Sequence, residues 1–160
     1  MVNKILLTIL LWTPALGSVF ADDGPHQRSK AAIAELEIFS GTWEIILVNP
    51  EGATQNAKWL SFYEDWTYAA KDENGEKLWE GTFDLDPEAT PKNWDHRSND
   101  SAKKNGDVLG IYEIDGSLLR VSCVAGEWKD GEWTGKPRPK DFDPKDSDVS
   151  MELKRSESNK

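Results

Sequence analysis

Between Trp43 and Lys154 the apolar residues recur at every second position, in short runs separated by turn residues. That period belongs to a strand with one face buried, and its repetition restricts the chain to a β-rich fold. Trp43, Ile45 and Leu47 alternate with Glu44 and Ile46, and Asn49-Pro50-Glu51-Gly52 turns the chain. Trp59–Tyr63 and Trp66–Ala70 are the next two strands, followed by Asp72-Glu73-Asn74-Gly75 with its Asn-Gly hairpin signal. In the fourth strand Trp79, Gly81, Phe83 and Leu85 share one face, while Glu80, Thr82 and Asp84 take the other. Asn93–Arg97, Val108–Ile114 and Leu118–Ala125 follow, the last two joined at Asp115-Gly116, and Val149–Lys154 closes the series. Eight short strands linked mostly by turns predict an antiparallel meander, which either pairs two sheets or closes into a barrel without exposed edges.

One helix precedes the strands. Ser29 is a suitable cap, and Ala31, Ile33, Ala34, Leu36 and Ile38 recur at helical spacing before Ser40-Gly41. Residues 1–21 read as a signal peptide rather than as part of the fold. Lys4 supplies the charge, Ile5–Trp12 the apolar run, and Val19-Phe20-Ala21 the small residues before a cut at Asp22. The apolar run is shorter than the roughly 20 residues of a spanning helix, so no membrane span is expected after cleavage. Residues 22–28 form a flexible lead-in, 29–155 a single domain and 156–160 a flexible tail. These assignments predict an exported protein, periplasmic or extracellular.

Composition narrows the function. The 160 residues carry 29 acids against 19 Lys plus Arg, a formal charge of −10, which repels phosphate backbones and makes nucleic acid a poor partner. A lone cysteine forms neither an internal disulfide nor a cysteine-based zinc cluster. Walker loops, dinucleotide fingerprints, Gly-x-Ser-x-Gly elbows and His-Glu-x-x-His motifs are missing from the sequence. No catalytic residue, metal site or cofactor is expected, and the chain reads as a non-enzyme. Cys123 lies on the Leu119–Val121 face and reads as core, and His96 reads as a rim residue. The acidic run Asp141, Asp143, Asp146 and Asp148 reads as a solvated loop. It has Lys145 and Asp146 where a calcium loop needs a ligand and a glycine.

The ordered segments resemble a known family. Leu36, Ser40-Gly41-Thr42-Trp43, a short helix running into a Gly-x-Trp strand, looks like the start of a lipocalin. Further pieces are Gly81–Pro87, Pro91–Asp95, Gly110–Gly116, Leu118–Cys123, Arg138-Pro139 with Phe142, and Leu153–Arg155. Over about residues 35–155 their order is similar to the lipocalin-like family of uncharacterised secreted proteins expanded in planctomycete bacteria. Trp94, where that family usually carries a smaller aliphatic residue, and the extra tryptophan pair in Gly126–Gly135 depart from the pattern. The resemblance implies an all-β fold, an eight-stranded antiparallel lipocalin-like barrel preceded by one short N-terminal helix, and it brings no catalytic residues. It also implies a structural role for Trp43, plugging the closed end, with a basic residue of the last strand, Lys154 or Arg155, across its indole.

Aromatic excess is the one unusual chemistry, with eight tryptophans in the chain. If Trp66, Tyr68, Trp79 and Phe83 point inward, they either fill a narrow barrel or line a cavity for a small apolar or aromatic ligand. Trp128 and Trp133 flank Asp130-Gly131, a two-residue turn that sets them opposite each other. They serve either as a cross-strand clasp or as an exposed platform for carbohydrate. Two functions remain open: a secreted binding module, or a filled barrel presenting loops to cell-surface partners.

Overall fold

The computed structural model describes residues 28–157. The expected signal peptide, nearly all of the lead-in and the end of the tail lie outside the described residues. Helix α1 (Lys30–Phe39) is capped by the Ser29 hydroxyl, which accepts from the Ala32 amide, and it turns Ala32, Leu36 and Phe39 inward. The strands that follow are β1 (Gly41–Asn49), β2 (Trp59–Phe62), β3 (Thr67–Lys71), β4 (Lys77–Asp86) and β5 (Lys92–Ser98). After a single helical turn, α2 (Asn99–Ala102), come β6 (Gly106–Asp115), β7 (Leu118–Lys129), a two-residue β8 (Glu132–Trp133) and β9 (Val149–Arg155).

Each strand from β1 to β7 pairs antiparallel with the next, β9 pairs with β7, and β1 pairs with β9. The result is a closed eight-stranded antiparallel barrel with one short helix before it, a form that a lipocalin-like barrel fits. β8 stands outside the closure and pairs only with the projecting end of β7.

Expected alternation holds along β4, where Gly81, Phe83 and Leu85 are buried between exposed neighbours. It fails in β1. A bulge between Ile45 and Leu47 admits Ile46 as an extra residue, so Leu47 turns outward at 56% exposure and Val48 packs on the core instead. Such a bulge bends and twists a strand, which helps a narrow barrel close. At Gly81 a Cβ would lie 2.0 Å from the Arg97 carbonyl oxygen, so β4 and β5 approach more closely there than any side chain permits.

The helix end of the barrel is filled with rings. Phe39 of α1 enters the lumen and meets Phe62, Phe83, Trp94 and Tyr112 at centroid distances of 4.7–6.4 Å. Burial of these rings contributes to the driving force for closure. A second apolar layer lies on the outer wall. Ile111, Ser122 and Val124 are fully buried, yet they alternate with the lumen residues Tyr112, Val121 and Cys123. The segment after β8 covers them, running as a strap along the outside of β5–β7. Arg138 ties it down, reaching both carboxylate oxygens of Asp95 and donating to the Gly110 carbonyl at 2.7 Å. The strap includes a 3-10 turn (Pro144–Asp146) and returns at Asp148, whose amide donates to the Cys123 carbonyl.

Candidate functional site

Each end of the barrel has its own chemistry. At the helix end Trp43 is fully buried, and its indole N–H donates to the Phe39 carbonyl at 2.9 Å. Arg155 lays its guanidinium 4.0 Å from the Trp43 ring centre. It also donates to the Ser40 carbonyl at 2.8 Å and to that of Ile38. The last carbonyls of a helix have no partner within it, and here three side-chain bonds from the barrel supply them. A cation at that end also complements the helix dipole. Of the two basic residues considered for this place, Arg155 is the one that takes it. Gly41, at a φ of +123°, lets β1 start directly beneath Arg155, where a Cβ would come within 2.9 Å of the guanidinium.

The opposite end holds a cavity of about 180 Å3. Tyr68 of β3, Trp79 of β4, and Trp94 and His96 of β5 form its aromatic wall. Cys123, Met151 and Leu60 supply apolar lining, and Ala53 and Thr54 of the β1–β2 loop with Asp148 lie at its edge. An adjoining depression shares Tyr68, Trp79 and His96 and adds polar groups from Gln55, Ser98 and Asp100.

Polar groups are few inside this wall, and two lack partners. The Trp94 indole N–H is buried with no acceptor, and His96 Nδ1 is shut away from solvent with no hydrogen bond. Their rings stack at 4.2 Å and 18°. Burial outweighs the attraction of Asp107 and holds the imidazole down at about 4, so His96 is neutral at pH 7. Burial raises the Tyr68 phenol well above its usual range. Cys123 shares the cavity with His96, but burial, reinforced by Asp148, pushes its thiol up to about 12. A neutral thiol beside a neutral imidazole is the opposite of the charged pair an activated cysteine needs. The Asp148 carboxylate is itself engaged by the Ala125 amide and the Lys136 ammonium.

The aromatic residues singled out in the sequence are thus distributed among separate places. Tyr68 and Trp79 meet in the cavity. Phe83 is buried in the packed half of the lumen. Trp66, with a φ of +66°, sits at the helix end beneath the Arg28 guanidinium, 4.2 Å from its ring centre. Trp128 and Trp133 are cross-strand partners in the hairpin outside the barrel, with ring centres 5.3 Å apart. Trp133 donates to the Lys136 carbonyl and packs on Gly126 and Gly135, while Trp128 donates to Asp107, the carboxylate that also holds Arg97. Trp94 and His96 were not expected in a site. The signal for them is parity: they alternate with Asp95 and Arg97 and therefore share the lumen face.

Among the described residues no group of three or more His, Cys, Asp or Glu is arranged to hold a metal ion, and no helix is long and apolar enough to cross a membrane. Comparison with protein-family models, with curated proteins and with solved structures finds no match to this chain.

Proposed function

We propose that this is an exported, lipocalin-like binding protein that takes a small uncharged compound, about one ring in size, into the cavity at the end remote from α1. The observation that carries the reading is a void of about 180 Å3 walled by Tyr68, Trp79, Trp94 and His96 in an otherwise packed lumen. Sites for drug-sized ligands usually run to about 300–1,000 Å3, so a long lipid or a sugar chain exceeds this one. An apolar cavity of roughly 150 Å3 is enough for benzene. Export is supported by the layout of residues 1–21, and mass spectrometry of the exported protein should find an N-terminus at Asp22 or within three residues of it.

The binding test is thermal. Saturating benzene should raise the melting temperature, because a ligand that binds only the folded state stabilises it by mass action. Trp79→Ala, which opens the cavity wall, should abolish the rise. A second reading, a filled barrel that acts through its loops, is supported by the ring cluster around Phe39. It predicts no benzene-dependent change in the parent protein.

A further inference from the structure

We propose that the cavity and the depression beside it act as one two-part site for an uncharged ring that carries a hydroxylated head group, an aryl glycoside in chemical class, with the ring in the cavity and the head in the depression. This rests on the reading of the cavity as a binding site and assigns its ligand class. The two spaces adjoin across four shared residues, Tyr68, Trp79, His96 and Val108. They also divide neighbouring residues of the β1–β2 loop, since Thr54 lines the cavity and Gln55 the depression. Their chemistry differs. The cavity wall is mostly aromatic and apolar, whereas the depression adds Gln55, Ser98, Asp100 and Ser101, with Leu78 its one further apolar residue. The depression is the larger space, about 370 Å3 against about 180 Å3. One ring fills the smaller space, so the rest of a larger compound has to lie among polar groups.

Those polar groups suit hydroxyls rather than a charge. No lysine or arginine is among the described residues that line either space, so an anionic head finds no counter-ion. Asp100 is already bound by Lys103 at 2.8 Å, and its side chain is 86% exposed, where water weakens its hold on a cationic head. Asp148, at the cavity edge, is engaged by Lys136 and by the Ala125 amide. The Gln55 amide offers both donors and an acceptor. The Ser98 hydroxyl accepts from the Ser101 amide at 3.0 Å and donates to the Ser101 hydroxyl at 2.8 Å, which leaves the Ser101 hydroxyl its own proton to give. A sugar hydroxyl both donates and accepts, so it answers an amide and a hydroxyl without bringing a charge. Leu78, 42% exposed, offers an apolar surface to the C–H face of the sugar ring.

Five probes test this by calorimetric titration: benzene, phenyl β-glucoside, methyl β-glucoside, phenyl phosphate and phenyltrimethylammonium. Phenyl β-glucoside should bind about tenfold tighter than benzene, matching the value of one well-made hydrogen bond. Methyl β-glucoside, which lacks the ring, and the two charged probes should bind more weakly than phenyl β-glucoside. Gln55 is an exposed loop residue with a φ of +50°, a conformation that glycine adopts without strain, so Gln55→Gly should fold. That variant should lose severalfold of the glucoside's advantage and keep benzene within about twofold of its parent affinity. In the NMR spectrum of the parent protein the Gln55 side-chain amide resonances should move with phenyl β-glucoside and stay in place with benzene, while the Trp79 indole resonance should move with both. A phenyl β-glucoside that binds no tighter than benzene overturns the two-part site. So does a methyl β-glucoside or charged probe that binds as tightly as phenyl β-glucoside, an advantage kept in full by Gln55→Gly, or unmoved Gln55 resonances. In each of these cases benzene binding keeps the cavity as a site. Failure of every probe to bind, benzene included, overturns both.

Discussion

Trp43 and Arg155 are cross-strand partners in the β1–β9 ladder, and the guanidinium of one covers the indole of the other at 4.0 Å. The pair joins the first strand to the last and fastens α1 over the barrel end, because both side chains also bond carbonyls at the end of that helix. Trp43→Ala should cost about 3–5 kcal/mol, as large core deletions do. Arg155→Met should cost about 1–3 kcal/mol through the lost carbonyl bonds and cation–π contact. Because the residues touch, the double variant should cost less than the sum, and a denaturation-based double-mutant cycle measures the difference. A Trp43→Ala protein that melts within a degree or two of the parent would show that Trp43 is not a plug.

The strap depends on Arg138. Arg138→Met keeps the length of the side chain but removes both Asp95 bonds and the Gly110 bond. A loss of about 1–2 kcal/mol is expected, discounted because the pair is partly exposed. Hydrogen exchange should locate the effect, with the Asp148 and Ala125 amides exchanging faster while those of β2 and β3 keep their protection.

In the outer hairpin the two tryptophans should differ. Trp133 packs on Gly126 and Gly135 and is bonded at its nitrogen, so Trp133→Ala should cost about 2–3 kcal/mol. Trp128 is 37% exposed, and Trp128→Ala should cost about 1 kcal/mol, mostly the Asp107 bond and the cross-strand contact. Retention on a polysaccharide resin separates clasp from platform. A clasp predicts that the parent and the Trp128→Ala variant elute together.

Stability should fall with acid before the carboxylates titrate. His96 has an ordinary value of 6.5 and is held at about 4 in the folded protein by burial. Between those values the unfolded chain binds a proton that the folded chain does not, so unfolding becomes more favourable as pH drops from 6.5 towards 4. Asp107 acts on His96 in the opposite sense and limits the effect. Urea denaturation at pH 7.5, 6 and 5 should show a steady decline, and His96→Phe should flatten it. Asp65, Asp100 and Asp148 are held below the usual carboxylate range, and their contribution is lost only at lower pH.

Local rules in the sequence determined which residues become strands. Trp79 to Leu85 alternate because a strand has a period of two, and Gly116 turns the chain because a tight hairpin needs a positive φ, here +58°. The Asp130-Gly131 turn likewise placed Trp128 opposite Trp133. What depends on residues far apart in the chain was decided only by the tertiary structure. The β1 bulge answers to the curvature of the closed barrel, so alternation alone put Leu47 on the wrong face. Ile111 and Val124 are buried on the outer wall by a strap that Arg138 holds from 28 residues away. The cavity is what remains after Phe39, carried in by α1, fills the other half of the lumen. Trp94 and His96 line it because strand parity turns them inward, but only barrel closure sets Trp79, Tyr68 and Met151 around them. A void is a property of all its walls at once, and no single segment of sequence contains it.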